Sequence, residues 1–374
     1  MTNVVKVGNV YLGGNYPILI QSMTNIKTSK VNEVVKQINE LEKIGCEIIR
    51  VSVLDTEDAI AIKEIKKHIS IPIVADIHFD YKLALLSADS GCNKLRINPG
   101  NIGSIEKIKA VVDKCKEKNI PIRIGVNSGS VEKELLAKYN GPTAQALAES
   151  ALNHAKILED LNFYNTVISV KASDIHTTLE AYKILSEKTN YPLHIGITES
   201  GTKFSGTIKS SVGLGLLLNE GIGDTIRVSL STNPLEEIKV AKEILSLFGE
   251  YKKIELISCP TCGRTQYNMI PLVEKVEKYL ETLPQINLKI AIMGCVVNGP
   301  GEARNADLGI AGGIGEAVLF KKGQVIRKIK EEIVHYEALI ATTKNKKEID
   351  SYTKIIHVHE RYIEKYSRWG SLDW

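Results

Sequence analysis

At 374 residues, with 43% hydrophobic and 25% charged residues, the chain is long enough for one or two globular domains with an ample core. A net charge of +4 is too small to argue by itself for nucleic acid, and no apolar run approaches membrane-spanning length, so neither is expected as a partner. Lys6 is followed by no apolar signal core, and Cys46, Cys92 and Cys115 show no paired pattern in a long chain, which argues against a disulfide framework and points to the cytoplasm.

From about residue 17 to residue 231 an apolar segment followed by a helical one recurs every ~25–35 residues, the spacing of a β-α unit. The predicted strands are 18–23, 48–53, 72–77, 94–97, 121–126, 166–170, 193–197 and 225–228. They are short and rich in Ile and Val, as strands buried on both faces are. Helical periodicity predicts helices at 31–44, 56–68, 104–118, 143–161, 177–188, 211–219 and 235–247, with a weaker one near 81–88. Thr143 and Thr177 are placed to serve as N-caps, and Gly45 sits where a helix-ending glycine belongs. Eight such units in about 250 residues predict an α/β fold, a TIM (β/α)8 barrel over residues 1–248. A doubly wound sheet is the alternative, but Gln21-Ser22-Met23-Thr24 follows the first strand where a G-x-G-x-x-G turn would be needed.

In a barrel the C-terminal strand ends build the active site. Here they carry Gln21 and Ser22, Arg50 and Ser52, Asp76 and His78, Arg96 and Asn98, Arg123 and Asn127, Lys171 and Ser173, Glu199, and Arg227, Ser229 and Ser231, with Lys203 nearby. An arginine inside an apolar strand is unfavourable unless an anion meets it. Some of these cations can pair with Asp76, Asp174 or Glu199, but three acids leave a surplus. Each cation–phosphate pair at ~4 Å gains on the order of 4 kcal/mol before desolvation, at an effective dielectric near 20. The rim therefore predicts a small phosphorylated or diphosphorylated substrate. Arg50, Arg96, Asn98, Arg123, Asn127, Lys171, Arg227, Ser229 and Ser231 are the candidate binding residues. Aromatic residues make up only 6% of the chain, too few on this rim for a nucleic-acid groove. Glu199 is the sole acid at the end of the seventh strand and the candidate catalytic acid or base, unless Lys203 or Lys171 ties it up. His78 reads as a core or supporting histidine.

After about residue 248 the pattern changes to a small α+β domain, 249–343. Strands are predicted at 254–258, 288–293, 308–311 and 317–320, and helices at 269–280 and 325–340. Two of the strands end in Gly/Pro-rich turns, Cys259-Pro-Thr-Cys262 and Met293-Gly-Cys295-Val-Val-Asn-Gly-Pro-Gly-Glu302. Three thiols and a carboxylate in two such turns suggest one metal site with Cys259, Cys262, Cys295 and Glu302 as ligands. A structural zinc knot and a redox dithiol are the alternatives. An oxygen ligand at one corner suits a reactive iron–sulfur cluster better than a closed zinc site. Residues 344–374, a charged extension holding Trp369 and Trp374, read as a solvated helix or tail.

Together these motifs closely resemble the bacterial 4-hydroxy-3-methylbut-2-en-1-yl diphosphate synthase (GcpE) family, in its short two-domain form. Besides the two cysteine motifs, Gln21-Ser-Met-Thr24, Ala75-Asp-Ile-His78, Arg96-Ile-Asn-Pro-Gly100, Arg123-Ile-Gly-Val-Asn127, Ser169-Val-Lys171 and Thr198-Glu-Ser-Gly201 carry the resemblance. It implies a [4Fe–4S] cluster on Cys259, Cys262, Cys295 and Glu302. It implies an oxidoreductase of the methylerythritol phosphate isoprenoid pathway, acting by two-electron reductive ring opening of 2-C-methyl-D-erythritol 2,4-cyclodiphosphate with loss of a hydroxyl as water. It also implies a flavodoxin or ferredoxin donor, and a homodimer in which each cluster domain caps the partner's barrel. The rival readings are a zinc-stabilised barrel acting on a pterin or phosphosugar, and an electron carrier whose barrel is a binding module.

Overall fold

Runs of Ile, Val and Leu too short for helices, each followed by a helix with one apolar stripe, leave little choice but parallel strands wrapped by helices. In the computed structural model, which describes residues 1–265, 267–280, 283, 286–295, 299–313 and 316–330, the chain divides into two compact units, Met1–Tyr251 and Lys252–Trp374.

The first unit opens with an antiparallel hairpin, β1 (Val5–Val7) and β2 (Val10–Leu12). Eight parallel strands follow: β3 (Leu19–Met23), β4 (Ile48–Ser52), β5 (Ile73–Asp76), β6 (Lys94–Ile97), β7 (Ile122–Asn127), β8 (Thr166–Lys171), β9 (His194–Ile195) and β10 (Thr225–Ile226). Their order is β8-β7-β6-β5-β4-β3-β10-β9, and a parallel bridge between Ile168 and Leu193 joins the two ends into a barrel. Around it run α1 (Val31–Lys43), α2 (Thr56–Ile65), α3 (Tyr81–Asp89), α4 (Pro99–Ile102), α5 (Ile105–Lys118), α6 (Lys133–Lys138), α7 (Ala144–Asp160), α8 (Ile175–Lys188), α9 (Lys203–Asn219) and α10 (Pro234–Leu247). This is the TIM barrel that the repeat predicts.

Alternate strand residues sort to two sides. Ile49, Ile73, Leu95, Ile122 and Ile168 join the large core shared with the helices. Leu19, Ile48, Val74 and Val167 form a separate cluster with Val5, Val7 and Leu12 of the hairpin, which thus plugs the N-terminal end of the barrel. The opposite end is left to polar residues.

Several local expectations need correction. The N-cap of α8 is Asp174, whose carboxylate accepts the Thr177 N–H at 2.7 Å; Thr177 lies inside the first turn. Thr143 does cap α7, accepting the Ala146 N–H. Gly45 follows α1 with φ of 106°, the left-handed step expected of it. Helix α9 starts at Lys203, well before the predicted 211. Gly206 masks its first turn as a helix, yet a Cβ there would stand 2.7 Å from Leu230, so close packing outweighs weak propensity.

The second unit carries one five-stranded sheet, ordered β11 (Ile254–Ser258), β12 (Leu288–Met293), β13 (Leu308–Gly312), β14 (Glu316–Lys321) and β15 (Gln324–Lys330). The first three are parallel and the last two antiparallel. The amphipathic α11 (Met269–Leu280) covers a core of Leu272, Val276, Ile290, Ile292 and Ile310, and a short α12 (Gly299–Glu302) precedes β13. The helix expected at 325–340 is a strand as far as Lys330; the rest of it, and residues 344–374, lie outside the described residues. The turn explains the error. Lys322 and Gly323 both take positive φ, 48° and 75°, which makes a two-residue hairpin and commits the β-branched Val325, Ile326 and Ile329 to extended pairing.

Candidate active site

The inward-facing residues at the C-terminal end of the barrel are the predicted cations. Arg50 comes from β4, Arg96 from β6, Arg123 from β7 and Lys171 from β8, while Arg227 follows directly on β10. Their side chains are sunk into the barrel: Arg123 is 1% exposed, Arg96 6% and Lys171 8%. Asp76 at the end of β5 is the hub. Arg96 donates to its Oδ1 at 3.1 Å, Arg50 Nε lies 3.5 Å from Oδ2, and His78 Nε2 lies 3.6 Å from the same oxygen. His78 is half-exposed, so it belongs to this network and not to the core. Burial would raise the Asp76 carboxyl, but Arg50, His78 and Arg96 overcome it and hold the group far below the usual carboxylate range.

The second acid is Glu237, on α10. Its carboxylate accepts from the Ser22 hydroxyl at 3.1 Å and the Leu230 N–H at 3.0 Å, and lies 3.8 Å from Arg227 Nε. Five cations, Arg50, Arg96, Arg123, Lys171 and Arg227, thus face two carboxylates, Asp76 and Glu237. Of the other acids considered, Asp174 caps its helix and Glu199 pairs with no cation among the described residues. The surplus charge has a physical signature. Burial, and then the neighbouring cations, push the Lys171 ammonium well below its ordinary value and lower Arg50 to about 10. Arginines stay charged at neutral pH, so the strain of this repulsion falls on the lysine.

The donors are held by weak acceptors. Arg123 Nη1 donates to Gln21 Oε1 at a long 3.4 Å, and Arg123 Nε and Gln21 Nε2 are buried with no protein partner. Arg50 directs Nε and Nη2 at the Met23 thioether, at 3.1 and 2.8 Å, and Arg227 Nη1 reaches the same sulfur at 3.7 Å. A thioether is a poor acceptor, so these guanidiniums are placed without being satisfied. Two glycines make room: a Cβ on Gly125 would stand 2.3 Å from Arg96 Nε, and one on Gly196 would stand 2.6 Å from Lys171 Nζ.

Asn98 caps α4 through Oδ1, which accepts the Gly100 N–H at 3.0 Å, and its Nδ2 is buried without a partner. Asn127 ends β7, and Ser229 lies half-buried beyond β10. Ser231 is exposed, its N–H bonded to the Gly201 carbonyl at 3.0 Å, which joins the loop after β10 to the loop carrying Glu199. Glu199 is exposed and stands at φ of 50°, a left-handed conformation that a non-glycine residue adopts at a penalty. The alternative tie to Lys203 is not made, since that ammonium pairs with Glu236 at 2.7 Å.

In the second unit the parallel pairing of β11 with β12 sets their two following turns side by side. The Gly294 N–H donates to Cys259 Sγ at 3.1 Å. Thr265 Oγ1 accepts the Cys262 N–H at 3.2 Å, and the Tyr267 hydroxyl donates to the Met293 carbonyl at 3.1 Å. Cys262 is exposed, and the Arg264 backbone and side chain lower its thiol below its ordinary value, toward the thiolate that a soft metal needs. Among the described residues no three His, Cys, Asp or Glu side chains gather as they would around an ion, and the Glu302 side chain is not among them. The donor chemistry nonetheless fits an iron–sulfur cluster: thiols on adjoining turns, one held by an N–H···S bond.

The sequence matches the GcpE TIM-barrel domain over residues 2–242 and the GcpE protein C-terminal domain over residues 255–345. The chain belongs to the GcpE family. Among its relatives, the 4-hydroxy-3-methylbut-2-en-1-yl diphosphate synthase (flavodoxin) of Clostridium perfringens is 61% identical over 332 residues, 88% of this chain and 95% of that protein. The protein of the same name from Fusobacterium nucleatum is 57% identical, covering 88% of this chain and 93% of that one. Among solved structures, a Yersinia pestis dihydropteroate synthase aligns with a TM-score of 0.47 at 10% identity, covering 66% of this chain and 97% of that one.

Sequence reasoning missed several residues of this GcpE site. Glu237 could have been found, since it falls on the stripe of α10 with Ile238, Ala241 and Ile244, where an acid demands a partner. Lys94 precedes Arg96 by two and so shares its inward face; it is fully buried, and its Nζ has no partner. The role of Met23 carries no sequence signal, because a methionine in a strand reads as packing.

Proposed function

We propose that this GcpE chain converts 2-C-methyl-D-erythritol 2,4-cyclodiphosphate into 4-hydroxy-3-methylbut-2-en-1-yl diphosphate, the product its relatives are named for, as an oxidoreductase of the methylerythritol phosphate pathway. The observation that carries this reading is the buried surplus of cations over Asp76 and Glu237. A cyclic diphosphate is a compact dianion that Arg50, Arg96, Arg123, Lys171 and Arg227 can grip from several sides, with Asn98, Asn127, Ser229 and Ser231 donating at the edges. The reaction balances as ring opening at a C–O bond with uptake of two electrons and two protons and release of one water.

Glu199 delivers a proton to the departing hydroxyl from its loop after β9, where no cation among the described residues pairs with its side chain. Cys259, Cys262 and Cys295, with Glu302 as the exchangeable oxygen ligand, would hold a [4Fe–4S] cluster, which when bound supplies electrons at low potential. We assign residues 1–248 to substrate binding, 249–343 to the cluster, and a flavodoxin-class protein, as in the relatives' names, to electron delivery. Leu54 and Phe79 stand exposed on the loops after β4 and β5, and Phe204 in the first turn of α9, which supports a homodimer whose cluster domains cap the partner's barrel. No described helix is long and apolar enough to cross a membrane, and we place the enzyme in the cytoplasm.

The test is anaerobic reconstitution with iron and sulfide, followed by a reductant-driven assay on the cyclic diphosphate. The expected result is brown protein that releases the linear diphosphate. Protein that takes up zinc but neither iron nor sulfide, and forms no product, refutes the reading.

A further inference from the structure

The hydrogen-bonded pair of His154 and Glu132 stands outside the cationic mouth, and the reaction makes no use of it. His154 lies on α7, in the helical layer around the barrel, and is 2% exposed. Its Nε2 meets Glu132 Oε1 at 2.7 Å. Burial would raise the Glu132 carboxyl, yet the hydrogen bond from His154 outweighs it and holds the group down to about 2. Glu132 is the N-cap residue of α6, in the loop that leaves β7 at Asn127. The start of that loop is closed on itself: the Asn127 N–H donates to Ser130 Oγ at 2.9 Å, and the Ser130 hydroxyl donates to the Asn127 carbonyl at 3.0 Å. Glu132 is thus the tether by which this closed turn is fastened to the helical layer.

The same imidazole also supports the turn after β6. A Cβ built on Gly100 would stand 3.1 Å from His154 Nε2 and 3.3 Å from Asn98 Oδ1, so the ring lies against this glycine closely enough that even a methyl there would push on it. The Gly100 N–H holds Asn98 by its Oδ1 and leaves Asn98 Nδ2 buried with no protein partner. One buried ring therefore touches both loops that bring asparagines to the mouth. A charge-assisted hydrogen bond in a buried setting is directional, and small misplacements of a binding group are expensive in rate.

We propose that His154 is a positioning residue for the substrate, locking the loops after β6 and β7 together through Glu132 and Gly100 and so fixing Asn98 and Asn127 against a phosphate group. The proposal rests on the reading of the mouth as a diphosphate site.

The experiment is steady-state kinetics on the reconstituted holoenzyme with the cyclic diphosphate, for wild type, His154→Ala, Asn127→Ala and the double variant, with thermal unfolding of each. Asn127→Ala and His154→Ala are each expected to raise KM about tenfold with kcat within about twofold, and the double variant to be no worse than the worse single one. Gly100→Ala, which crowds the ring from the other side, is expected to raise KM in the same sense. Additive losses in the double variant, or a lowered Tm with KM unchanged in both His154→Ala and Gly100→Ala, would make His154 merely structural and overturn the proposal. If Asn127→Ala itself leaves KM unchanged, the proposal falls together with the diphosphate reading of the mouth, whereas additive losses on top of a raised Asn127→Ala KM leave that reading standing.

Discussion

Glu199 combines three properties that seldom meet in a structural residue. It is exposed, its backbone sits at φ of 50°, and its carboxylate has no cationic partner among the described residues, although Lys203 lies four residues on and Lys171 ends β8. A strained position persists only where its surroundings impose it, and here the loop after β10 does so through the bond from the Ser231 N–H to the Gly201 carbonyl. The Glu199→Gln variant keeps the shape of the side chain but replaces the ionisable carboxyl by a neutral amide that cannot transfer a proton. We expect its cluster absorbance and its affinity for the cyclic diphosphate to match wild type, with kcat reduced at least about a hundredfold, as for loss of a general acid. Turnover within a few-fold of wild type, measured under the same reductant, would take Glu199 out of the mechanism.

At the scale of elements, what the sequence revealed and what it hid divide along physical lines. Strand ends were legible because polar residues interrupt apolar runs, and Arg50, Arg96, Arg123, Lys171 and Arg227 stood at those interruptions. The hairpin β1–β2 was not: Val5, Val7 and Leu12 are too few to show a period, and only the barrel they plug gives them meaning. Strand β15 was read as helix because the apolar spacing of its residues suits both periods, and the turn at Lys322 and Gly323 decided the matter. Asp76 was legible as an acid but not as the hub of Arg50, Arg96 and His78, since pairing across strands depends on register. Register also explains Gly125. It lies opposite Ser169 on β8, and its bare Cα leaves the channel through which Arg96 reaches Asp76. Gly125→Ala places a methyl where Arg96 Nε now runs, so Arg96 must swing away from Asp76. We expect a loss of about 1–3 kcal/mol in unfolding free energy from overpacking, and a KM for the cyclic diphosphate raised more than tenfold. A variant with unchanged KM would show that Arg96 is not part of the phosphate grip.

At the scale of the whole molecule, the barrel keeps a cluster of like charges inside itself, and an anion must relieve it. Lys171 reports the tension, because burial and then Arg227 and Arg123 hold its ammonium well below 10.5. The sign of the linkage follows. The unfolded chain keeps Lys171 protonated up to about its ordinary value, while the folded, ligand-free protein gives the proton up earlier. Between the depressed value and 10.5 the unfolded state binds more protons, so this residue makes the free protein more stable as pH rises. A bound diphosphate restores the proton and removes that advantage. Stabilisation by inorganic diphosphate should therefore be larger near pH 7 than near pH 9, starting from about 2.7 kcal/mol at a hundredfold excess over Kd. The titration of the ligand itself acts in the opposite sense, since diphosphate gains charge as pH rises. Lys171→Met separates the two: the variant should show weaker stabilisation overall and lose the decline between pH 7 and 9, read as the shift in Tm with and without diphosphate at constant ionic strength. The same decline in both proteins would mean that the charge relieved by the anion is not carried by Lys171.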